Sequence, residues 1–508
     1  MTHHYFSLQY SAIQKTVLRH DRLWSIAGIS NILSRMNELE MPKIAEDLQG
    51  TVIVAGGGKF TACFPSRKDA EQAKRKCVEL VATTLPMLEF QVSEIHEGVT
   101  FESLKKGKEG RNKLIDELGE QKRAFRGYAV SFNPHLKLCE ECGEYPAQEK
   151  NRGKVTRDVC RVCHTAFEES RGIADRKKAD TTLQKVYHGF WTKVPAAAQI
   201  DPPADFNDLF PNKDAMKDAG EHRRMAVWFS DLNNMNDKVP IWLKQTDETE
   251  VLSTFNKFRD TVVQIVINAL ALTFKKPSGD FLPFRLVVAG GDDLCLVMAE
   301  EYILDFTVNL SRSLNAAKAL LDDNHPLSDA WLKKNGISEE PKPFGFGSAF
   351  VATSIHTPFS QIHRIGEELM STAKKVTDRA GNSVNWRIMA EEHAVTEKLL
   401  SFERPLFIEK SDKGKSGLNC LTFEEYLDLR KVFRGKLSTS HLQQIVTIMQ
   451  KERNPFEVER QMKLLDAGEQ AKSFSPLLRD ERFRDARGNL LPQRITTLFE
   501  LLAIGGNE

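Results

Sequence analysis

Two stretches of this sequence, Thr51–Phe60 and Arg285–Leu294, repeat one another closely enough to dictate the architecture around them. Each is a β-branched run ending in Val-Ala-Gly-Gly, at Val54–Gly57 and Val288–Gly291, and each leads into a second strand-like run, Thr61–Phe64 and Cys295–Met298. Strand, Gly-Gly turn, strand is a hairpin signal. Each hairpin follows a strand and a helix, Tyr5–Tyr10 with Asp21–Glu38 and Met225–Asp231 with Leu252–Thr273. Each precedes a helix and a strand, Arg67–Thr84 with Glu89–Ile95 and Glu301–Leu321 with Gly345–Val351. The order βαββαβ, met twice, predicts an α+β protein with two ferredoxin-like units.

The copies differ where chemistry would sit. The second ends its opening strand in Asp231 and carries Asp292 and Asp293 in its turn; aligning Phe6-Ser7 with Phe229-Ser230 puts Leu8, Gly58 and Lys59 at those places in the first. A ferredoxin-like sheet sets its two central strands side by side, which brings Asp231 opposite the turn. Three converging carboxylates repel one another unless a cation neutralises them. Oxygen donors suit Mg²⁺ or Mn²⁺ held with substrate phosphates, and two such ions serve nucleotidyl transfer. Gly290 and Gly291 let phosphate approach the backbone.

Between the repeats lie Cys139-x-x-Cys142 and Cys160-x-x-Cys163. Two CxxC turns complete a tetrahedral thiolate site, closed and structural, for Zn²⁺. Cys63, Cys77, Cys295 and Cys420 are scattered in apolar contexts and read as core. Eight cysteines of this pattern fit a reducing cytoplasm. The longest apolar run, Thr261–Phe274, is broken by Gln264 and Asn268, so no membrane span is expected. Lys and Arg number 71 against 70 Asp and Glu, which excludes a global polycation. Basic clusters flank the cysteines (Lys105, Lys106, Lys108, Arg111 and Lys113; Lys122, Arg123 and Arg126; Arg171, Arg176, Lys177 and Lys178) and read first as solvated faces, second as an RNA contact. Pro195–Pro211 reads as a linker, and Gly414-Lys415-Ser416 lacks the earlier glycine of a phosphate loop. Thr422–Phe433 and Ser438–Glu452 have helical apolar spacing.

The Gly290-Gly291-Asp292-Asp293 turn behind a degenerate copy of the same unit resembles the large polymerase-cyclase subunit of type III CRISPR-Cas effector complexes. Asp21-Arg22-Leu23-Trp24 with Ser25–Ser30 is similar to the opening of its Cmr-type branch. Ala373-Lys374-Lys375 before Gly381–Trp386 resembles the lysine helix and last strand of the catalytic palm, and Ser230–Asp237 is similar to the metal-binding strand of diguanylate cyclases. The resemblance covers nearly the whole chain. It implies a degenerate palm over 1–100, a helical and zinc-binding region with linker over 101–215, a catalytic palm over 216–395 and a C-terminal helical domain over 396–508. It also implies ATP as substrate, cyclic oligoadenylates as product, target RNA as trigger, and guide RNA and the other effector subunits as partners in antiviral defence. Asp231, Asp292 and Asp293 then hold the two ions, Lys374 or Lys375 balances the triphosphate, Ser230 contacts a nucleotide, and Gly58 and Lys59 face the substrates from the first palm. The family often begins with an HD nuclease domain; here the first palm opens the sequence and His20-Asp21 reads as a helix-surface pair, so DNA cleavage is not expected. The rival readings are a free-standing diguanylate-cyclase-like enzyme using GTP and a non-catalytic scaffold subunit.

Overall fold

A computed structural model describes residues 3–11, 13–17, 20, 22–97, 118, 120, 136–152, 156–210, 224–235, 248–277, 279–321, 323, 325, 328, 330–331, 344–389, 404–410, 420–434, 447–448, 454–466 and 475–504. The first unit runs β1 (His4–Ser11), α1 (Ile13–Val17), α2 (Leu23–Arg35), a π-helical segment Met36–Glu40, α3 (Met41–Asp47), β2 (Thr51–Gly56), β3 (Lys59–Phe64), α4 (Arg67–Thr84), β4 (Glu89–Val92) and β5 (His96–Glu97). A small hairpin, β6 (Glu149–Arg152) and β7 (Thr156–Val159), then leads into α5 (Arg161–Gly172) and α6 (Thr182–Lys193). The second unit is β8 (Arg224–Leu232), α7 (Glu248–Thr273), β9 (Phe284–Gly290), β10 (Asp293–Ala299), α8 (Ile303–Leu320) and β11 (Phe346–Ser354), extended by α9 (Phe359–Val376), β12 (Ser383–Met389) and β13 (Leu406–Phe407). Helices α10 (Phe423–Phe433), α11 (Pro455–Asp466), α12 (Ser475–Arg479) and α13 (Pro492–Ala503) follow.

Strand order is β2-β3-β1-β4 in the first sheet, and β9-β10-β8-β11 forms the equivalent part of the second, beyond which β12 and β13 are added. Both are the antiparallel order of a βαββαβ unit. The likeness extends to irregularities. Each hairpin skips one residue of its first strand, Ile53 in one and Val287 in the other, and each lies three places before the glycine that closes the ladder, Gly56 or Gly290. The turns are nevertheless wound differently. Gly57 and Gly58 both have positive φ (57° and 74°), whereas in the second turn Gly291 (62°) is followed by Asp292 outside that region. A turn with one left-handed residue accepts an aspartate where the all-glycine turn would strain it.

Alternation along each strand sorts side chains between two layers. On β8, Ala226, Trp228 and Leu232 join the core that contains residues of α7 and α8, while Met225, Val227 and Phe229 pack with Phe359, Ile362 and Ile365 of α9. The two units cross-pack: α2 lies against β9, and α7 lies against β2. Phe255 of α7 packs onto Tyr5, Ile53 and Cys63 of the first sheet. On its other flank α2 meets α5 so closely that a Cβ on Gly28 would lie 1.9 Å from the Ala166 carbonyl oxygen. Trp24 meets Phe167 edge-on at 5.2 Å beside it. Arg285, fully buried on β9, donates to the Ser170 hydroxyl (2.8 Å) and carbonyl (3.2 Å) and to the Pro203 carbonyl (3.3 Å).

Three sequence readings change. The stretch expected as a linker is a packed strap, with Ala197 and Leu209 fully buried and the Trp24 amide donating to the Ala204 carbonyl. The C-terminal helices share the second unit's core: Phe423 lies against Trp386, whose indole donates to Glu500 at 3.0 Å, and Arg404 also bonds Glu500. His20 is completely buried ahead of α2 instead of lying on a helix surface. The 101–117 and 121–135 stretches, the phosphate-loop lookalike and most of Ser438–Glu452 lie outside the described residues.

The close crossing of α2 and α5 sets a test. Gly28→Ala forces backbone apart and should cost about 1–3 kcal/mol in denaturant melts. Gly189→Ala, whose new Cβ meets only the Ile267 side chain, nearest at its terminal carbon (2.3 Å), should cost less than Gly28→Ala because that side chain can rotate away. Equal effects would mean that the α2–α5 approach is not a tight constraint.

Candidate functional site

The hairpin and the central strand bring the acids together by register. Asp293 pairs directly with Asp231 across β10 and β8, Gly290 closes the ladder on the other side of Asp293, and the Leu232 amide donates to the Asp292 carbonyl at 3.2 Å. Directly opposed residues on antiparallel strands have Cα atoms about 4.5–5.5 Å apart, so like charges there repel. Gly347 flanks Asp231 on its other side, in β11. Lys374 crosses that glycine: a Cβ on Gly347 would lie 2.2 Å from Lys374 Cγ. Having crossed, the Lys374 ammonium pairs with Asp231 Oδ2.

The cluster is electrostatically strained. Asp292 is pushed up to about 6, first by the protein packed around it and then by Asp231. Asp293 is pushed up to about 8 by the same exclusion of water and by Asp292, Asp231 and Glu367. Asp293 keeps an exposed edge, so repulsion among the acids is the firmer part of its shift. Glu367, two helical turns before Lys374 on α9, is itself raised by burial and by Asp231. It is a fourth carboxylate that the sequence reading missed; its seven-residue spacing from Lys374 is the signal that was there.

The other predicted residues divide. Ser230 is turned inward, 2% exposed, and accepts from the Trp228 indole at 3.1 Å. Lys375 is exposed on α9 beside the engaged Lys374. Gly58 and Lys59 occupy the first unit's turn, where Gly58 packs against Ile13 and the Tyr10 amide donates to the Gly58 carbonyl. Register also moves one equivalence: Lys59 pairs with Gln9, so Gln9 and not Leu8 stands where Asp231 does, while Leu8 is buried in the core. Among the described residues, and apart from its chain neighbours, no atom lies within 4 Å of a Cβ built on Gly290.

The four cysteines form the second cluster. Cys139, Cys160 and Cys163 are buried, Cys142 is half-buried, and all four sulfurs lie within 4.8 Å of one another. Four Zn–S bonds of ~2.3 Å would set sulfurs about 3.8 Å apart, and Cys142 and Cys160 lie at 3.9 Å. Cys160 caps α5, its sulfur accepting from the Cys163 amide at 3.5 Å. This buried cluster can hold a structural zinc. Of the four cysteines read as core, Cys63, Cys77 and Cys295 are buried and Cys420 is half-buried. Arg176 is committed to structure, paired with Asp201 at 2.9 Å and stacked 4.8 Å over Trp191. Among the described residues no helix is long and apolar enough to cross a membrane.

No family model and no curated protein matches the chain. Solved structures do. An apo Csm1–Csm4 cassette superposes with a TM-score of 0.55 at 14% identity. A Csm1–Csm4 subcomplex of the type III-A CRISPR-Csm interference complex and a Csm1–Csm4 cassette in complex with one ATP each superpose at 0.52 and 13%. In each case 98% of this chain and 69% of the other are covered. At such identity the likeness shows a shared fold.

The shifts give a pH test. Carboxyls raised in the folded state favour folding while protonated, and that contribution is lost as pH climbs from the ordinary carboxylate value of 3.8 through about 8. Without divalent cations, Asp293→Asn should therefore raise the melting temperature most at pH 8, with the gain vanishing near pH 4 (about the unfolded value). A gain independent of pH would show that repulsion is not its source. For the thiolates, Cys139→Ser should release zinc and unfold the module, since apparent binding energy in such sites is roughly 10 kcal/mol or more of folding energy. Metal analysis finding no zinc in protein purified without chelator would remove the assignment.

Proposed function

We propose that the chain is the nucleotide-joining large subunit of a type III RNA-guided effector, converting ATP to 3′–5′-linked cyclic oligoadenylates when target RNA is bound. The observation that carries the reading is the pairing of Asp231 with Asp293 beneath the open Gly290-Gly291 turn, in the fold of chains solved with ATP. The donor chemistry suits hard cations: two carboxylates paired in register and a third in the adjoining turn, with Asp292 and Asp293 raised by burial and then by the neighbouring acids. Mg²⁺ or Mn²⁺ bound there supplies activation of a 3′-hydroxyl and stabilisation of leaving pyrophosphate. Asp231, Asp292 and Asp293 hold the site. Gly290 leaves room for a triphosphate, and Lys374 (with Lys375 next to it) supplies positive charge at its edge. On this reading Gly58 and Lys59 present the first unit's turn to the same cleft, with lysine in place of the lost acids. The four-cysteine module is a zinc-held brace, and Trp24, in the stretch similar to the Cmr-type opening, clamps α2 to it. Guide RNA, target RNA and the remaining effector subunits are the partners.

The test is incubation of the purified complex with each labelled nucleoside triphosphate, Mg²⁺ or Mn²⁺ and target RNA, with products read by mass spectrometry. Cyclic oligoadenylates from ATP, absent without RNA, are expected. Replacing Asp292 and Asp293 by Ala should abolish them while assembly persists. Synthesis by that double mutant would sink the assignment, and products from GTP alone would favour a diguanylate-cyclase-like enzyme.

A further inference from the structure

The helical run that begins with α2 carries a proline, Pro42, in the first turn of α3, yet it continues unbroken, with Arg35, Met36, Glu40 and Met41 all in right-handed helical geometry. A proline inside a helix has no amide to donate, and its ring meets the carbonyl four residues back, here that of Glu38. The run relieves this by widening. Over Met36–Glu40 it is π-helical, and the Met41 amide donates to the Met36 carbonyl five residues back.

Two adjacent side chains of the widened turn then reach different parts of the molecule. Asn37, 5% exposed, turns to the first unit's hairpin. With its amide set to satisfy both groups, it accepts from the Gly56 amide at 3.1 Å and donates to the Lys59 carbonyl at 3.2 Å, bridging the pair that closes the Gly57-Gly58 turn. Gly56, Gly57 and Gly58 all have positive φ. An all-glycine turn has the widest choice of backbone conformations, so a hold from outside matters most there. Glu38, its side chain 7% exposed, turns the other way. It accepts from the Thr182 amide (3.1 Å) and hydroxyl (2.8 Å) at the start of α6, and its carboxylate lies 3.7 Å from Arg259 Nη1 on α7. Thr182 in turn lines a narrow apolar crevice with Val186, Val262, Gly290 and Gly291. One helical turn therefore connects the two glycine hairpins.

We propose that Met36–Glu40 is a spacer that fixes the first unit's glycine turn relative to the second's, with Asn37 and Glu38 as positioning residues, and that it thereby sets the width of the cleft between the turns. The spacing rests on the bonds above; its effect on products rests on the reading of both turns as walls of one nucleotide cleft. A cleft of fixed width favours a narrow range of oligoadenylate lengths, and loosening one wall broadens it.

The test is hydrogen–deuterium exchange on the full chain, followed at residues 56–59, at Thr182 and at 290–293, with the melting temperature recorded to confirm folding. Asn37→Ala should speed exchange at 56–59 about fivefold, the worth of a neutral hydrogen bond, with Thr182 and 290–293 as in wild type. Glu38→Ala should speed exchange at Thr182 and, through the released segment, at 56–59 as well. Glu38→Gln, which keeps an acceptor for Thr182, should restore both. Pro42→Ala, which removes the cause of the widening and favours helix, should speed exchange at 56–59 without lowering the melting temperature. Wild-type exchange at 56–59 in Glu38→Ala or Pro42→Ala, or a rise spread evenly over both sheets, overturns the inference. In the purified complex with ATP, Mg²⁺ and target RNA, Asn37→Ala and Pro42→Ala should broaden the range of product lengths; unchanged lengths beside a loosened turn overturn the link to cleft width. A complex that makes no product from ATP but follows the exchange pattern sustains the spacer and overturns the nucleotide reading.

Discussion

The structure depends on an exchange of helices between two units of the same design. Helix α2 of the first seats on β9 of the second, and α7 of the second seats on β2 of the first. Phe255 of α7 thereby covers one face of the first sheet at Tyr5, Ile53 and Cys63. The exchange also fixes distance: α2 cannot drift without opening its glycine-deep crossing with α5, and α5 is capped by a cysteine of the four-thiol cluster. The buried guanidinium of Arg285 ties β9 to the far end of that same helix. The thiolate module is therefore linked mechanically to the strand that ends in Gly290.

The carboxylate cluster is the cost of that frame. Register sets Asp231 opposite Asp293, the turn adds Asp292 beside them, and Lys374, crossing β11, pairs with Asp231. Pairing one lysine with three acids and a nearby Glu367 leaves an excess of negative charge, which adds to burial in raising two of the carboxyls. Such a site is predisposed to a divalent cation before any ligand is considered.

Much of this was legible in the sequence. The repeat gave both strand orders, because βαββαβ has few antiparallel solutions, and helix Arg67–Thr84 matched to the residue. The acids and the cysteines were legible because their spacing carries chemistry. What escaped was whatever depends on one residue of register or on packing at a distance. Leu8 and Gln9 differ by one place, and aligning Phe-Ser could not reveal which faces the turn; only pairing with Lys59 does. Strand alternation alone does not say which face is wet, and Ser230 lies on the dry one. Pro195–Pro211 looked like a tether because its composition is that of one, yet Ala197 and Leu209 are buried. Glu367 lies on an amphipathic helix among many charged residues, where its seven-residue spacing from Lys374 was the one mark of the face it shares.

The skipped residue in each hairpin has a consequence for how such a pair diverges. Ile53 and Val287 each absorb an irregularity three places before the closing glycine, so the twist of the turn is set apart from the regular ladder behind it. One turn has taken three glycines and a lysine, the other two glycines and two aspartates, and the strands behind them remain superimposable in pairing. The kink works as an expansion joint: inheritance can rewrite the tip of a hairpin, even its handedness, without sending the disturbance into the sheet that two halves of the molecule share.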